Sequence, residues 1–162
     1  MKFFYILLIS IACLTLTGCG GSGGGDNGII LSPQQQEFAD IVYAFATAVN
    51  SKDKVRAMDL VSTDMLYNTQ YDYSYFKSRL DDFLDNAEEV NFQINGLGVS
   101  FIKEDEEAEI RANITFSYKI VGVENTLSET VEIYVKKYGS LKGISLFQKY
   151  RNEISAFPPV LE

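Results

Sequence analysis

Between Glu107 and Ile120 polar and apolar residues alternate without a fault. Ala108, Ile110, Ala112, Ile114, Phe116, Tyr118 and Ile120 take one parity, and Glu107, Glu109, Arg111, Asn113, Thr115, Ser117 and Lys119 take the other. A period of two sustained over this length fits only an extended strand with one dry and one wet face, because a helix would scatter the apolar residues around its circumference. It predicts an antiparallel sheet covered on one side only. Phe92 and Ile94 alternate in the same way after Glu89, Val131, Ile133 and Val135 resume the pattern, and residues 142–149 close it. Turns are expected at Gly96 and Gly98, over 103–106, over 122–125 and over 138–140, where glycine and charged residues interrupt the alternation. The end with Pro158 and Pro159 is expected to be an unpaired tail over 151–162.

The cover for the dry face lies upstream, where the period is helical. Ser32, Pro33 and Gln35 form a capping-box start. Phe38, Ile41, Val42, Phe45, Ala46 and Val49 then mark an apolar stripe on a helix running to about Asn50. Asp53 can cap a second, shorter helix that turns Val55, Met58 and Val61 toward the core. A third helix over 74–86 carries Phe76, Leu80, Phe83 and Leu84 on one face. Helices followed by long amphipathic strands give an α+β chain, and 162 residues allow one ordinary domain, placed at 32–150.

The first residues read as an address. Lys2 precedes an apolar run from Phe3 to Leu16 that is shorter than the roughly 20 residues a spanning helix needs, as in a secretory signal. The run ends in Leu16-Thr17-Gly18-Cys19, which resembles the lipobox of bacterial lipoproteins. The resemblance implies removal of residues 1–18 and lipidation of Cys19. The only other cysteine, Cys13, lies within the segment to be removed, so the mature chain has no partner for a disulfide. Residues 19–31 then form a lipidated glycine-rich tether, suited to holding a domain off a membrane surface. Gly20 stands where, in some bacteria with two membranes, an aspartate retains a lipoprotein in the inner membrane, and so points to the outer membrane, at its periplasmic face or surface.

Charge and composition exclude more than they assign. The net charge is −8, from 14 basic and 22 acidic residues, and loss of Lys2 makes the mature chain one unit more negative. No cluster of lysine or arginine exists to bind nucleic acid. The chain has no histidine, which removes the usual zinc ligand and the base of Ser-His and Cys-His sites. No metal or cofactor is expected. The acidic run over 104–107 lacks the spaced ligands and glycine of a calcium loop.

The segment from Phe45 to Asp53, followed by Ala57 to Met65, resembles the opening of nuclear-transport-factor-2-like, or cystatin-like, cone-shaped domains. Lys136 to Ile144 resembles their last hairpin, with Leu141 where a tryptophan is common. The resemblance covers residues 33–150 and implies an α+β fold with three N-terminal helices packed on one face of a curved antiparallel sheet. It also implies a pocket between helices and sheet, used by some members for catalysis and by many for binding or assembly. In the ketosteroid-isomerase branch a first-helix tyrosine pairs with an aspartate after the second helix; here those positions hold Phe45 and Thr69. The dehydratase-type branch needs a histidine that this chain lacks.

Three functions therefore stand. The first is a non-catalytic domain that binds a small apolar ligand or an envelope protein. The second is an assembly module that dimerises through the polar sheet face. The third is an acid-base enzyme with Asp64 or Asp72 as its base. Tyr43, Tyr67, Tyr71, Tyr73 and Tyr75 are the candidate ligand contacts, since flat amphipathic rings suit a cone mouth. The alternative for Tyr67 to Tyr75 is packing of a strand and its loop against the third helix.

Overall fold

The computed structural model describes residues 30–153 and 155–159. The signal segment, Cys19 and the glycine-rich stretch lie outside the described residues. No helix among the described residues is long and apolar enough to cross a membrane.

Helix α1 (Pro33–Asn50) begins at the expected capping box: the Gln35 amide donates to Ser32 Oγ at 3.2 Å, and the Ser32 amide donates to Gln35 Oε1 at 2.9 Å. The Gln35 side-chain amide also donates to the Val99 carbonyl, so the cap ties the helix to the sheet as it starts it. Phe38, Val42, Phe45, Ala46 and Val49 are buried as the stripe requires. Helix α2 (Lys54–Asp59) is capped by Asp53, whose carboxylate accepts from the Arg56 amide. Met58 is buried, but Val55 faces solvent with 74% of its surface exposed, and Val61 already belongs to a strand. The helix ends at Asp59, so position 61 cannot share its inward face.

Strand β1 (Val61–Tyr67) and the two-residue β2 (Tyr71–Asp72) lead into helix α3 (Tyr73–Asn86). The Asp72 carboxylate caps α3 by accepting from the Tyr75 amide at 2.9 Å. Phe76, Leu80, Phe83 and Leu84 form its buried face. Strands β3 (Glu89–Lys103), β4 (Glu107–Ile120), β5 (Val123–Tyr138) and β6 (Leu141–Lys149) then run as a meander. The sheet order is β2-β1-β6-β5-β4-β3. The dry face is set by register: Ala108 lies opposite Val135, Ile110 opposite Ile133 and Ala112 opposite Val131, all buried beneath the helices.

The expected α+β architecture, helices on one face of a curved sheet, is present, and three further expectations fail within it. The sheet is not wholly antiparallel, because β1 pairs with β6 in parallel. The join is tight: a Cβ on Gly143 would lie 3.3 Å from the Ser62 backbone nitrogen, and the Ile144 amide donates to the Leu60 carbonyl at 2.8 Å. Gly96 and Gly98 do not end a strand; β3 passes through them with a register shift between Ile94 and Gly96. The tail is not unpaired. Beyond a 3₁₀ turn (Tyr150–Asn152), in which Arg151 sits at φ 67°, the Lys149 amide donates to the Glu153 carbonyl, and residues 155–159 return to the domain with Phe157 fully buried.

Candidate functional site

Helices and sheet enclose a space lined by phenylalanines. Phe45 comes from α1, Phe76 from α3, Phe92 from β3, Phe116 from β4 and Phe147 from β6. Each is inward by the parity of its own element. The ring of Phe157 is inserted among them, with centroids at 4.8 Å from Phe116, 4.9 Å from Phe92, 5.6 Å from Phe147 and 6.3 Å from Phe45. Edge-to-face contacts dominate, which is the arrangement ring quadrupoles favour.

The rim above this cage is polar, and its groups converge on the tail. Asn68 follows β1 in a left-handed conformation at φ 52°, which asparagine tolerates well. Its Oδ1 accepts from the Ser155 amide at 2.8 Å and its Nδ2 donates to the Ser155 carbonyl at 3.4 Å. Tyr67, the last residue of β1, donates its hydroxyl to the same carbonyl at 3.0 Å. Burial pushes the Tyr67 phenol pKa up, against an opposing pull from the Arg79 guanidinium, so the hydroxyl keeps the proton it donates. Glu129 on β5 lies opposite Ile114 and thus on the inner-face parity of the sheet. Its carboxylate accepts from Ser155 Oγ and, at 3.4 Å, from the Ala156 amide. Arg79 of α3 donates to the Pro158 carbonyl and packs over the rings of Tyr67 and Tyr75.

The five candidate tyrosines do not form one site. Tyr67, Tyr71 and Tyr75 come together, with Tyr71 and Tyr75 stacked at 4.1 Å and Tyr67 about equally distant from both, at 6.1 and 6.2 Å. Tyr43 lies apart, in a shallow groove of about 450 Å³ shared with Thr47, Asn50 and residues 92–95. Tyr73 borders a different groove with Lys54, Met58 and Lys77. Phe45 is a wall of the cage, while Thr69 sits in an exposed turn with its hydroxyl bonded to the Asn68 carbonyl.

The carboxylates named as possible bases face elsewhere. Asp72 is spent as the α3 cap. Asp64 is exposed and accepts from the hydroxyls of Ser62 and Tyr138, which hold its carboxyl below the ordinary range. Sequence reasoning passed over Asn68, Arg79, Glu129, Ser155 and Phe157. A signal did exist for two of them: Glu129 breaks the apolar parity of β5, and Phe157 is the one aromatic residue of the 151–162 end.

The outer sheet face carries its own network. Glu132 is buried there, accepts from the Gln148 side-chain amide at 3.0 Å and lies 3.6 Å from Arg111, whose guanidinium covers the Tyr150 ring at 4.8 Å. These charges are paired within the chain.

The sequence matches no protein-family model, and no curated protein is significantly similar to it. Solved structures are similar in fold. A candidate aromatic ring hydroxylase from Novosphingobium aromaticivorans superposes with a TM-score of 0.64 at 12% identity, over 73% of this chain and 89% of that one. A candidate dehydratase of the NTF2-like family from Streptomyces avermitilis gives 0.59 at 10% identity, over 72% and 95%. The Kfla4162 protein of Kribbella flavida gives 0.61 at 14% identity, over 72% and 88%. At these identities the likeness speaks to architecture alone: helices on one face of a curved six-stranded sheet, which is the nuclear-transport-factor-2-like cone fold.

Proposed function

We propose that this chain is a bacterial envelope lipoprotein, anchored through Cys19, whose cone domain binds a ligand or partner without catalysing a reaction. The observation that carries the non-catalytic part is the composition of the cage. It is built from the rings of Phe45, Phe76, Phe92, Phe116 and Phe147, and a reaction there would need a base and an oxyanion donor aimed at substrate. Around a docked tail, Glu129 and Tyr67 serve as hydrogen-bonding groups for the tail backbone. The anchor rests on the lipobox, and placement in the outer membrane on Gly20.

A second reading is an acid-base enzyme. It is supported by Tyr67 and Glu129 both bonding to Ser155 at the cone mouth, one as donor to its carbonyl and the other as acceptor from its hydroxyl, and by the dehydratase and hydroxylase descriptions of proteins that share the fold. Assembly through the sheet has less support, since Arg111 and Glu132 already find partners within the chain, Arg111 in Glu109 and Glu132 in Gln148.

Two measurements test the proposal. Cys19→Ala is expected to move the protein from the membrane fraction to the soluble fraction, and persistence in the membrane would refute the anchor. Native mass spectrometry of protein purified from its own cells is expected to show a bound mass that leaves chemically unchanged. Recovery of a converted product would favour the enzyme.

A further inference from the structure

Residues 155–159 sit on the domain as a bound peptide would. The contacts at Ser155, Ala156 and Pro158 are mostly to backbone: Asn68 pairs with both the N–H and the C=O of Ser155, Glu129 receives the Ala156 amide, and Arg79 reaches the Pro158 carbonyl. The one aromatic side chain of the segment, Phe157, is fully buried among the cage rings. Side chains that bond to the peptide backbone, together with one buried aromatic anchor, are how folded domains recognise short peptides. The segment belongs to no strand of the sheet, and it is set off from β6 by a turn in which Arg151 holds a left-handed conformation that favours glycine. It can leave without breaking a ladder.

We propose that the cone is a peptide-recognition site whose resident occupant is the chain's own C-terminal segment. Its external ligand is a segment of another protein that carries a phenylalanine anchor with a small residue just before it, the chemistry of Ala156-Phe157. The tail acts as an intramolecular competitor. Tethering gives it an effective concentration in the millimolar range for a short flexible connection, so a partner binds only when its segment outcompetes the tail or the tail is withdrawn. This rests on the binding reading above, and it names the ligand class and the control of that site.

The test uses the full chain in detergent and a fluorescein-labelled synthetic peptide with the sequence of residues 153–159. Wild type is expected to bind the peptide weakly, and Phe157→Ala, which removes the anchor from the tail and leaves the cage intact, at least tenfold more tightly. A peptide with alanine in place of its phenylalanine should bind neither. Equal affinity of wild type and F157A, or equal binding of the two peptides, would overturn the proposal. Should F157A fail to fold, hydrogen exchange on wild type decides. The Ser155, Ala156 and Phe157 amides are expected to exchange at least tenfold faster than those of Ile110 and Ile133, and exchange only through global unfolding would make the tail a fixed part of the core. A wild-type dimer that becomes monomeric in F157A would place the tail in a second copy and overturn the partner. Fast tail exchange without peptide binding would refute the peptide ligand and leave the native-mass result to judge the binding reading alone.

Discussion

Replacing Phe157 with alanine separates a docked tail from a core residue. A fully buried phenylalanine truncated in a core that cannot collapse costs about 3–5 kcal/mol. Phe157 is fully buried and lies within 6.3 Å of four other rings, so its local loss falls in that range. The global cost has a lower ceiling, however. If the domain persists with its tail undocked, stability cannot fall by more than the docking free energy, because the variant escapes its cavity by letting the tail go. Ring burial contributes about 2–3 kcal/mol and each hydrogen bond to the rim about 1 kcal/mol. Ordering the residues from 155 to 159 opposes this at about 1–2 kcal/mol each. Six such bonds and the ring together supply about 8–9 kcal/mol, so with ordering at the low end of its range a net of up to about 3–4 kcal/mol remains. Urea unfolding of Cys19→Ala protein, followed by tyrosine fluorescence because the chain has no tryptophan, should therefore show a midpoint loss of that size at unchanged m-value. The same number should emerge as the opening free energy of the Ser155 and Phe157 amides in the unmutated chain. A loss below about 0.5 kcal/mol, in the range of an ordinary surface substitution, would mean the ring is not seated, and one above about 5 kcal/mol would mean the domain does not survive without it.

Three further outcomes follow from the fold. Asn50→Ala removes a side chain that both donates to the Phe92 carbonyl and accepts from the Phe92 amide, tying the end of α1 to β3; urea unfolding should show a loss of about 1–3 kcal/mol. Gly143→Ala places a methyl against the Ser62 backbone where β1 and β6 run in parallel, and should cost about 1–3 kcal/mol in the same assay. Asp64 has a depressed folded-state pKa, first through the Ser62 hydroxyl and then through Tyr138, so its contribution is present above the unfolded carboxylate range and fades as pH falls below about 4. The double variant Ser62→Ala, Tyr138→Phe should flatten the stability-against-pH slope in that window, and an unchanged slope would show the hydroxyls to be incidental.

What could be read from the chain was what is periodic. The strict alternation of β4 fixes its own faces and, through register, those of its neighbours, and the helical stripe of α1 has to meet them. The capping box needs only Ser32 and Gln35 and is local. The parallel pairing of β1 with β6 is neither local nor periodic, since it depends on where the chain returns after α3 and the meander, so nothing within either segment announces it. Gly96 failed differently. Glycine in a run of alternation marks a turn or a bulge with the same residue, and only the length of the partner strand decides between them. At the site, Tyr67, Tyr71 and Tyr75 were visible as a crowd of rings, but the rim groups came singly from β1, α3, β5 and the tail, and single residues carry no pattern.

Glu129 shows how such a lone residue can still be accounted for. A carboxylate on the inner parity of β5, opposite Ile114, should be a fault in an apolar face, because a buried charge without partners is costly. It is tolerated at the rim because it is only partly buried and because the tail brings it the Ser155 hydroxyl and the Ala156 amide. The relation runs both ways. The Ala156 amide would otherwise lose its partner in the approach to a hydrocarbon cage, and Phe157 could not enter without those polar atoms being drawn toward the rim. One misplaced charge in the strand and one misplaced ring in the tail thus satisfy each other, and a ligand that displaces the tail must offer Glu129 a donor as well as fill the cage.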